Sequence, residues 1–259
     1  MRYKIKLSYD GTELSGWQIQ NNATSIQGEL ERVLSMLLDC NISTTGAGRT
    51  DSSVNAVQYI AHFDSPKGLG AFDAKNLCYK LNAILPLKIC IHSIEEVDED
   101  FHARFDATKR DYMYFVHKTK DPFISKWSYR CHYPLDIEKM NKAASYLLGE
   151  HDFKCFEKTG GNNKTSICNV FEAYWEEYTP SLAQMTGYPH KNGDYLVFRI
   201  SANRFLRNMV RAIVGTLIEV GRGKKEPEWV KDLMAGGSRC DSGESVPGNA
   251  LFFCGASYD

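Results

Sequence analysis

The sequence predicts an α+β protein built from two β-α-β-β-α-β halves that share one mainly antiparallel sheet, with a central cleft. Three observations predict it. Apolar residues alternate at period two in short runs and recur at helical spacing in longer ones. The order of these runs in the first half is repeated in the second. The composition, 43% hydrophobic and 24% charged over 259 residues, is that of a globular chain large enough for one big domain or two small ones.

In the first half, Tyr3, Ile5, Leu7 and Tyr9 alternate with polar residues and give a half-buried strand ended by Asp10-Gly11. A loop through Trp17, Gln18 and Gln20 runs to Thr24, which forms a capping-box pair with Gln27. Ile26, Leu30, Val33, Leu34, Leu37 and Leu38 then fall on one helical face. A short strand about Ile42–Thr45, a glycine-containing loop and a strand through Phe63 follow. A helix through Phe72, Leu77, Leu81 and Ile84 stops before Pro86, and Lys88–Ile94 is the fourth strand.

The second half repeats the order. Asp111–His117 is a strand, and Asp136 caps a helix using Ile137, Met140, Ala144, Leu147 and Leu148, closed by Gly149. Val170–Tyr178 and Tyr195–Ser201 are strands separated by a Pro/Gly loop. Asn203 caps a long helix ending at Gly221, and Ala250–Ala256 is the last strand. Each half fits the ferredoxin-like split β-α-β unit. A linker near Val97–Ala107 divides residues 1–105 from 106–259. Thr159–Thr165 and Gly236–Asn249, rich in glycine, read as mobile surface loops.

Several classes find no support. Eight cysteines are spread along the chain with no CxxC pair, which argues against zinc and for reduced cytosolic thiols. The N-terminus alternates charge with apolar residues, unlike a signal or transit peptide, and no apolar run has the length of a membrane span. The histidines have no metal-ligand spacing. With a net charge of −1, any nucleic-acid site must come from local clustering of basic residues.

Candidate chemistry concentrates in three places. The first is the stretch from Gly46 through Arg49, Asp51 and Ser53 to Gln58. Its glycines allow a sharp turn or close backbone approach, and the turn presents Arg49 and Asp51. A carboxylate beside a guanidinium is held ionised, a poor general base but a usable anionic nucleophile. On spacing alone, a turn cap with a surface bridge is the simpler reading. Nothing nominates the second carboxylate a glycosidase needs, and the stretch lacks the Lys-Ser/Thr ending of a P-loop.

The second place is the long helix, where Arg204, Arg207 and Arg211 recur three and four apart beside a broad apolar stripe. They suit phosphate contacts, a buried carboxylate partner for one of them, or a solvated edge. The third runs from Phe101 to Tyr114, where basic and aromatic residues interleave as in a groove that tracks a backbone and stacks bases. Tyr112 and Tyr114 share one strand face. Tyr114 reads as core, while a tyrosine reaching a cleft could stack on a base or act as an acid or base.

Gly46-Ala47-Gly48-Arg49-Thr50-Asp51 resembles the signature of the TruA-type tRNA pseudouridine synthases. The likeness extends over essentially the whole chain. Tyr9-Asp10-Gly11 with Gly16-Trp17-Gln18-Ile19-Gln20 resembles the family's first loop, and Ser25 to Leu30 its first helix. Leu81-Asn82, Leu85-Pro86 and Phe101-His102-Ala103-Arg104-Phe105 continue in register, then Arg110, Tyr112 and Tyr114. Phe205, Asn208 to Arg211 and Ile213 to Gly215 resemble its long second-half helix.

The resemblance implies the pseudouridine synthase fold and a set of roles. Asp51 would attack a flipped uridine at C6 of the base or C1′ of the ribose. Arg211 would pair with Asp51 and Tyr112 would stack on the uracil. Arg49 would fill the space the base leaves, and Leu251 or Phe253 would form an apolar wall. Phosphate contacts would come from Arg204, Arg207, Lys109 and Arg110, with Trp17 and Gln58 among the substrate-binding residues. The family uses no metal and no organic cofactor. It is dimeric and cytosolic, holds tRNA across both subunits, and modifies uridines on the 3′ side of the anticodon stem–loop; neither membrane nor DNA is a partner.

One departure bears on activity. After the threonine the family continues DAGVHA, whereas here Asp51-Ser52-Ser53-Val54-Asn55-Ala56 stands, so Ser53 replaces a glycine and Asn55 a histidine. Ser53 must adopt its conformation without glycine's freedom, and Asn55 keeps hydrogen bonding without the imidazole. A non-catalytic RNA-binding protein on the same fold is the alternative that these two residues favour.

Overall fold

Period-two alternation produces the expected first strand: Tyr3, Ile5, Leu7 and Tyr9 are buried along β1 (Arg2–Tyr9), with partly exposed residues between them. The structure, a computed structural model describing residues 1–160 and 164–258, continues with α1 (Ile26–Leu38), β2 (Thr44–Gly46), β3 (Asn55–Asp64), α2 (Ala74–Ile84) and β4 (Ile89–Val97). Then come β5 (Ala107–His117), β6 (Tyr129–Arg130), α3 (Ile137–Ser145), β7 (Gly149–Asp152), β8 (Ile167–Glu177), α4 (Ser181–Thr186), β9 (Tyr195–Ala202), α5 (Met209–Gly221), α6 (Glu228–Met234) and β10 (Leu251–Tyr258). The chain is α+β as predicted, and its strand pairs are mainly antiparallel.

The chain divides into two units, Met1–Arg110 with Phe252–Asp259, and Asp111–Leu251. In the first, strands run β4-β1-β3. Two strands share the far edge of β3: β2 pairs antiparallel with its C-terminal end (Thr44 opposite Phe63), and β10 pairs parallel with its start (Phe252 opposite Asn55). The last strand thus joins the first unit rather than residues 106–259. Phe253 is wholly buried there, its ring 5.2 Å from that of Tyr59. Leu30, Val33 and Leu34 of α1 and Leu77 and Leu81 of α2 complete this core.

In the second unit the order is β5-β9-β8-β7, with β6 beside β5. Met140 of α3 and Ile213 and Leu217 of α5 are buried. A Cβ at Gly221 would lie 2.4 Å from Met140 Sδ, so α5 ends in close contact with α3. The two units share one device. Asn82 of α2 exchanges two hydrogen bonds with the backbone of Ile91 in β4 (2.7 and 2.8 Å). Asn141 of α3 does the same with Trp175 in β8 (2.6 and 3.0 Å). Each amide occupies a donor and an acceptor that the ladder would otherwise leave open.

Some expectations need correction. The cap of α1 is Ser25, whose Oγ accepts from Gly28 N at 3.1 Å. Gln27 instead lies inside the helix and donates to Thr44 O at 2.9 Å. The long helix begins at Met209, not at residue 203. Asn208 sits at φ 64, outside helical space, and Asn203 exchanges hydrogen bonds with Asn169 of β8 instead of capping. Arg204 and Arg207 therefore lie on the loop before α5. The segment Gly236–Asn249 is fastened, not mobile. Arg239 donates to Ser242 and Ser245 Oγ (2.9 and 2.7 Å), Gly243 N to Thr216 Oγ1 (2.9 Å) and Ser242 Oγ to Cys155 O (2.8 Å). Of the other glycine-rich segment, Thr159–Thr165, residues 161–163 lie outside the described residues. β6, β7, α4 and α6 are short elements that periodicity did not mark.

Candidate active site

In the first unit, the loop between β2 and β3 carries Arg49 and Asp51. It is tied down by hydrogen bonds along its length. Ala47 N continues the ladder to Ile60 O at 2.8 Å. Tyr59 Oη donates to Gly48 O, Trp17 N donates to Thr50 O at 3.2 Å, and Thr50 Oγ1 bonds Tyr9 Oη at 2.9 Å. Ser53 N donates to Leu14 O at 3.2 Å, and Val54 N closes a turn onto Asp51 O at 3.1 Å. Asn55 Oδ1 accepts from Gly11 N at 2.9 Å. Between these fastenings Arg49 is exposed and Asp51 half-buried.

Close approach explains the glycines. A Cβ at Gly11 would stand 2.1 Å from Val54 O, and one at Gly16, where φ is +84, 2.2 Å from Thr50 O. The loop through residues 10–17 is thereby laid directly on the backbone that carries Asp51. Gly46 is needed too, since its Cβ would meet Tyr59 Oη at 2.2 Å, whereas a Cβ at Gly48 would meet nothing within 4 Å. Positive φ falls not on either of these two but on Ser53, at +65, the third position of the Asp51–Val54 turn. Glycine is the usual residue there. Both departures from the family's sequence are thus accommodated: Ser53 takes the left-handed conformation, and Asn55 is buried with its side-chain oxygen bonded.

The remaining residues singled out in the first unit fall into distinct environments. Trp17 is 3% exposed, its ring 4.4 Å from Tyr59, so it supports the Asp51 loop from below. Gln58 is exposed on β3. Arg110 is buried, and its guanidinium donates to the carbonyls of Ala107, Arg104 and Ala47, the last at 3.3 Å. It braces two loops, where a solvent-facing phosphate contact was expected.

In the second unit, Tyr112 of β5 is buried with its ring edge-on to Phe205, centroids 5.0 Å apart. Tyr114 is core as expected, its hydroxyl donating to Pro247 O at 3.0 Å, and burial raises its pKa far above the ordinary tyrosine value. Arg211 lies in the first turn of α5. Its Nε donates to Val246 O at 2.7 Å while Val246 N donates to Arg211 O at 3.3 Å, so the guanidinium is oriented by the fastened segment. Arg204 is half-buried and Arg207 exposed. Leu251 is buried at the start of β10. Sequence reasoning missed Tyr9, Thr50 and Tyr59 as loop supports; Tyr9 lay in view within Tyr9-Asp10-Gly11. Among the described residues no group of three or more His, Cys, Asp or Glu could hold a metal ion, and no helix is long and apolar enough to cross a membrane.

The braced loop presents an aspartate and an arginine on an α+β framework whose strand pairs are mainly antiparallel. Residues 143–259 match the family model described as tRNA pseudouridine synthase. The chain is 44% identical to tRNA pseudouridine synthase A of Bacteroides fragilis over 260 residues, covering 99% of this chain and 96% of the relative. It is 36% identical to the protein of the same name from Bacillus subtilis over 263 residues, covering 100% of each. The chain belongs to the tRNA pseudouridine synthase A family of pseudouridine-forming isomerases.

Proposed function

We propose that this protein converts uridine to pseudouridine in the anticodon stem–loop of tRNA, with Asp51 as the nucleophile. The observation that carries the reading is the seating of Asp51: a half-buried carboxylate on a loop bonded at Ala47, Gly48, Thr50, Ser53 and Val54. Pre-positioned groups need no reorganisation when they react.

The target base leaves the stack, at a cost of a few kcal/mol. Arg49, exposed beside the open space at Gly48, takes the vacated place. Asp51 attacks C6 or C1′, the C1′–N1 bond breaks, the uracil rotates, a C1′–C5 bond forms, and the bond to Asp51 breaks to return its carboxylate. The C5 proton leaves and N1 gains one, so the reaction is an isomerisation without net oxidation. Arg211 pairs with Asp51, and Tyr112 stacks on the uracil and accepts the departing proton. Leu251 forms the apolar wall, because Phe253 is already packed on Tyr59. Arg204, Arg207 and Lys109 contact phosphates, which makes binding salt-dependent, and Arg110 holds the loop instead. A homodimer in the cytoplasm holds the tRNA across both subunits, a state that sedimentation of the free protein checks.

The test is tritium release from tRNA transcripts labelled at uracil C5. Wild type releases tritium to water; Asp51→Asn and Asp51→Ala release none while still binding the transcripts. Pseudouridine formation by either variant would remove Asp51 from its role. Binding by wild type without release would favour the non-catalytic RNA-binding reading.

A further inference from the structure

The segment Phe101–Asp106 between β4 and β5 takes no part in the mechanism above, yet its backbone is bonded throughout. His102 N donates to Asp106 Oδ2 at 2.6 Å and Ala103 N to His62 Nδ1 at 3.1 Å. Arg104 N and Phe105 N both donate to His102 Nδ1 at 3.2 Å, and Asp106 N to His102 O at 3.0 Å. Every amide from residue 102 to 106 thus has an acceptor. On the carbonyl side, Phe101 O accepts from Arg2 at 3.0 Å and Ala103 O from Tyr258 Oη at 2.7 Å, while Arg104 O takes the Arg110 guanidinium. Such a loop does not leave a large side chain in water through slackness.

Phe105 nevertheless stands 75% exposed. Its ring is stacked on the His102 ring at 4.2 Å and 28°, and the Arg104 guanidinium lies 5.8 Å from its centroid. One ring backs the aromatic surface and a cation lies over the ring at its outer reach, 5.8 Å from the centroid, the combination that receives a nucleobase together with its phosphate. The arginine that bonds Arg104 O also bonds Ala47 O at 3.3 Å, at the root of the Asp51 loop. The exposed ring and the nucleophile's loop are braced by one buried guanidinium.

We propose that Phe105, backed by His102 and flanked by Arg104, is a stacking platform for an unpaired base of the RNA substrate, held in register with the Asp51 loop by Arg110. The proposal rests on the RNA-modifying reading above and extends it to a second contact. Every base has a π-face, so the platform contributes affinity and register and is indifferent to base identity.

The experiment measures filter binding of unmodified tRNA transcripts, with tritium release followed separately. Phe105→Ala raises Kd and KM together by about tenfold, and Phe105→Trp restores binding to the wild-type range. Phe105→Ala leaves the slope of log Kd against log salt unchanged, whereas Arg104→Ala lowers it by about one. An unchanged Kd in Phe105→Ala overturns the platform. So does a binding loss that follows melting temperature across the Ala, Leu and Trp variants, since that marks a structural role. Weakened binding by Phe105→Ala in a protein that releases no tritium keeps the platform and refutes catalysis. A wild-type protein that binds no tRNA transcript refutes both.

Discussion

Gly16→Ala is the substitution that most directly tests whether the loop through residues 10–17 sets the position of Asp51. The added methyl would stand 2.2 Å from Thr50 O and 2.9 Å from the Asp51 carbonyl carbon. Relief requires a backbone shift of roughly 1 Å, because contacts of this kind settle no closer than about 3 Å. Overpacking of this degree costs about 1–3 kcal/mol. The φ of +84 adds about 1–2 kcal/mol for a residue with a Cβ, giving a total destabilisation of about 2–5 kcal/mol. At about 2–4 °C per kcal/mol for domains of this size, the melting temperature falls by roughly 4–20 °C. A displacement of about 1 Å at a reacting group lowers the rate on the order of 100-fold. Thermal unfolding and single-turnover tritium release on the same preparations read both effects. Gly48→Ala is the control within the same loop: with nothing within 4 Å of the added Cβ and no positive φ, its stability stays within about 0.5 kcal/mol of wild type. Wild-type stability and rate in Gly16→Ala, or a Gly48→Ala variant as unstable as Gly16→Ala, would refute the reasoning.

Ser53→Gly relieves about 1–2 kcal/mol of left-handed strain and forfeits part of that to the freer unfolded chain. A net gain of about 0.5–1 kcal/mol in urea unfolding is expected, and a loss would mean that the serine hydroxyl holds the turn. Arg110→Met strips the donors from three backbone carbonyls and lowers stability by about 2–4 kcal/mol; if Arg110 bears only on phosphate, unfolding is unaffected and the salt slope of binding falls instead. His62 is buried and accepts from Ala103 N, and burial, with Arg2 and His102 as further causes, lowers its pKa to about 4. The unfolded chain therefore binds a proton below about pH 6.5 that the folded protein refuses until about pH 4. Stability is full above that window and declines through it on acidification, by roughly 1 kcal/mol per pH unit. Comparing unfolding of wild type and His62→Gln at pH 7 and pH 5 checks this, and equal slopes would exclude His62 as the source.

Strands and helices were legible wherever burial alternates along a single element. Tyr3 to Tyr9 of β1 and Leu30 to Leu38 of α1 are buried as their spacing implies. Asp136 was read correctly as a cap, because an aspartate ahead of a helical stripe accepts from the backbone three residues on. The Asp51 loop stood out in the sequence, but its supports did not. That Tyr59 bonds Gly48 O, or that Arg110 reaches Ala47 O, depends on pairings between segments distant along the chain. The helix was begun too early because Phe205, Leu206, Met209 and Val210 keep helical spacing across Asn208, and a single left-handed residue leaves no trace in periodicity. Gly236–Asn249 misled for a related reason: glycine content signals flexibility, whereas here Gly243 lies against the backbone of Gly215 and Thr216. The likeness to a family supplied what spacing could not, namely a reason to connect Asp51 with residues far along the chain.

The parallel pairing of Phe252 and Phe253 with Asn55 and Ala56 also bears on when the Asp51 loop matures. β3 begins one residue after the turn that follows Asp51, and at that point it lies between Tyr9 of β1 and β10, the strand most distant along the chain. As the chain is made, β1 to β4 emerge early and can pair among themselves, Tyr9 with Ala56 included, but the start of β3 lacks its second neighbour, and Tyr59 its Phe253, until β10 follows. A chain interrupted before that point keeps the aspartate in its sequence and lacks the strand that braces it. The loop that carries Asp51 thus completes its support only when β10 is in place.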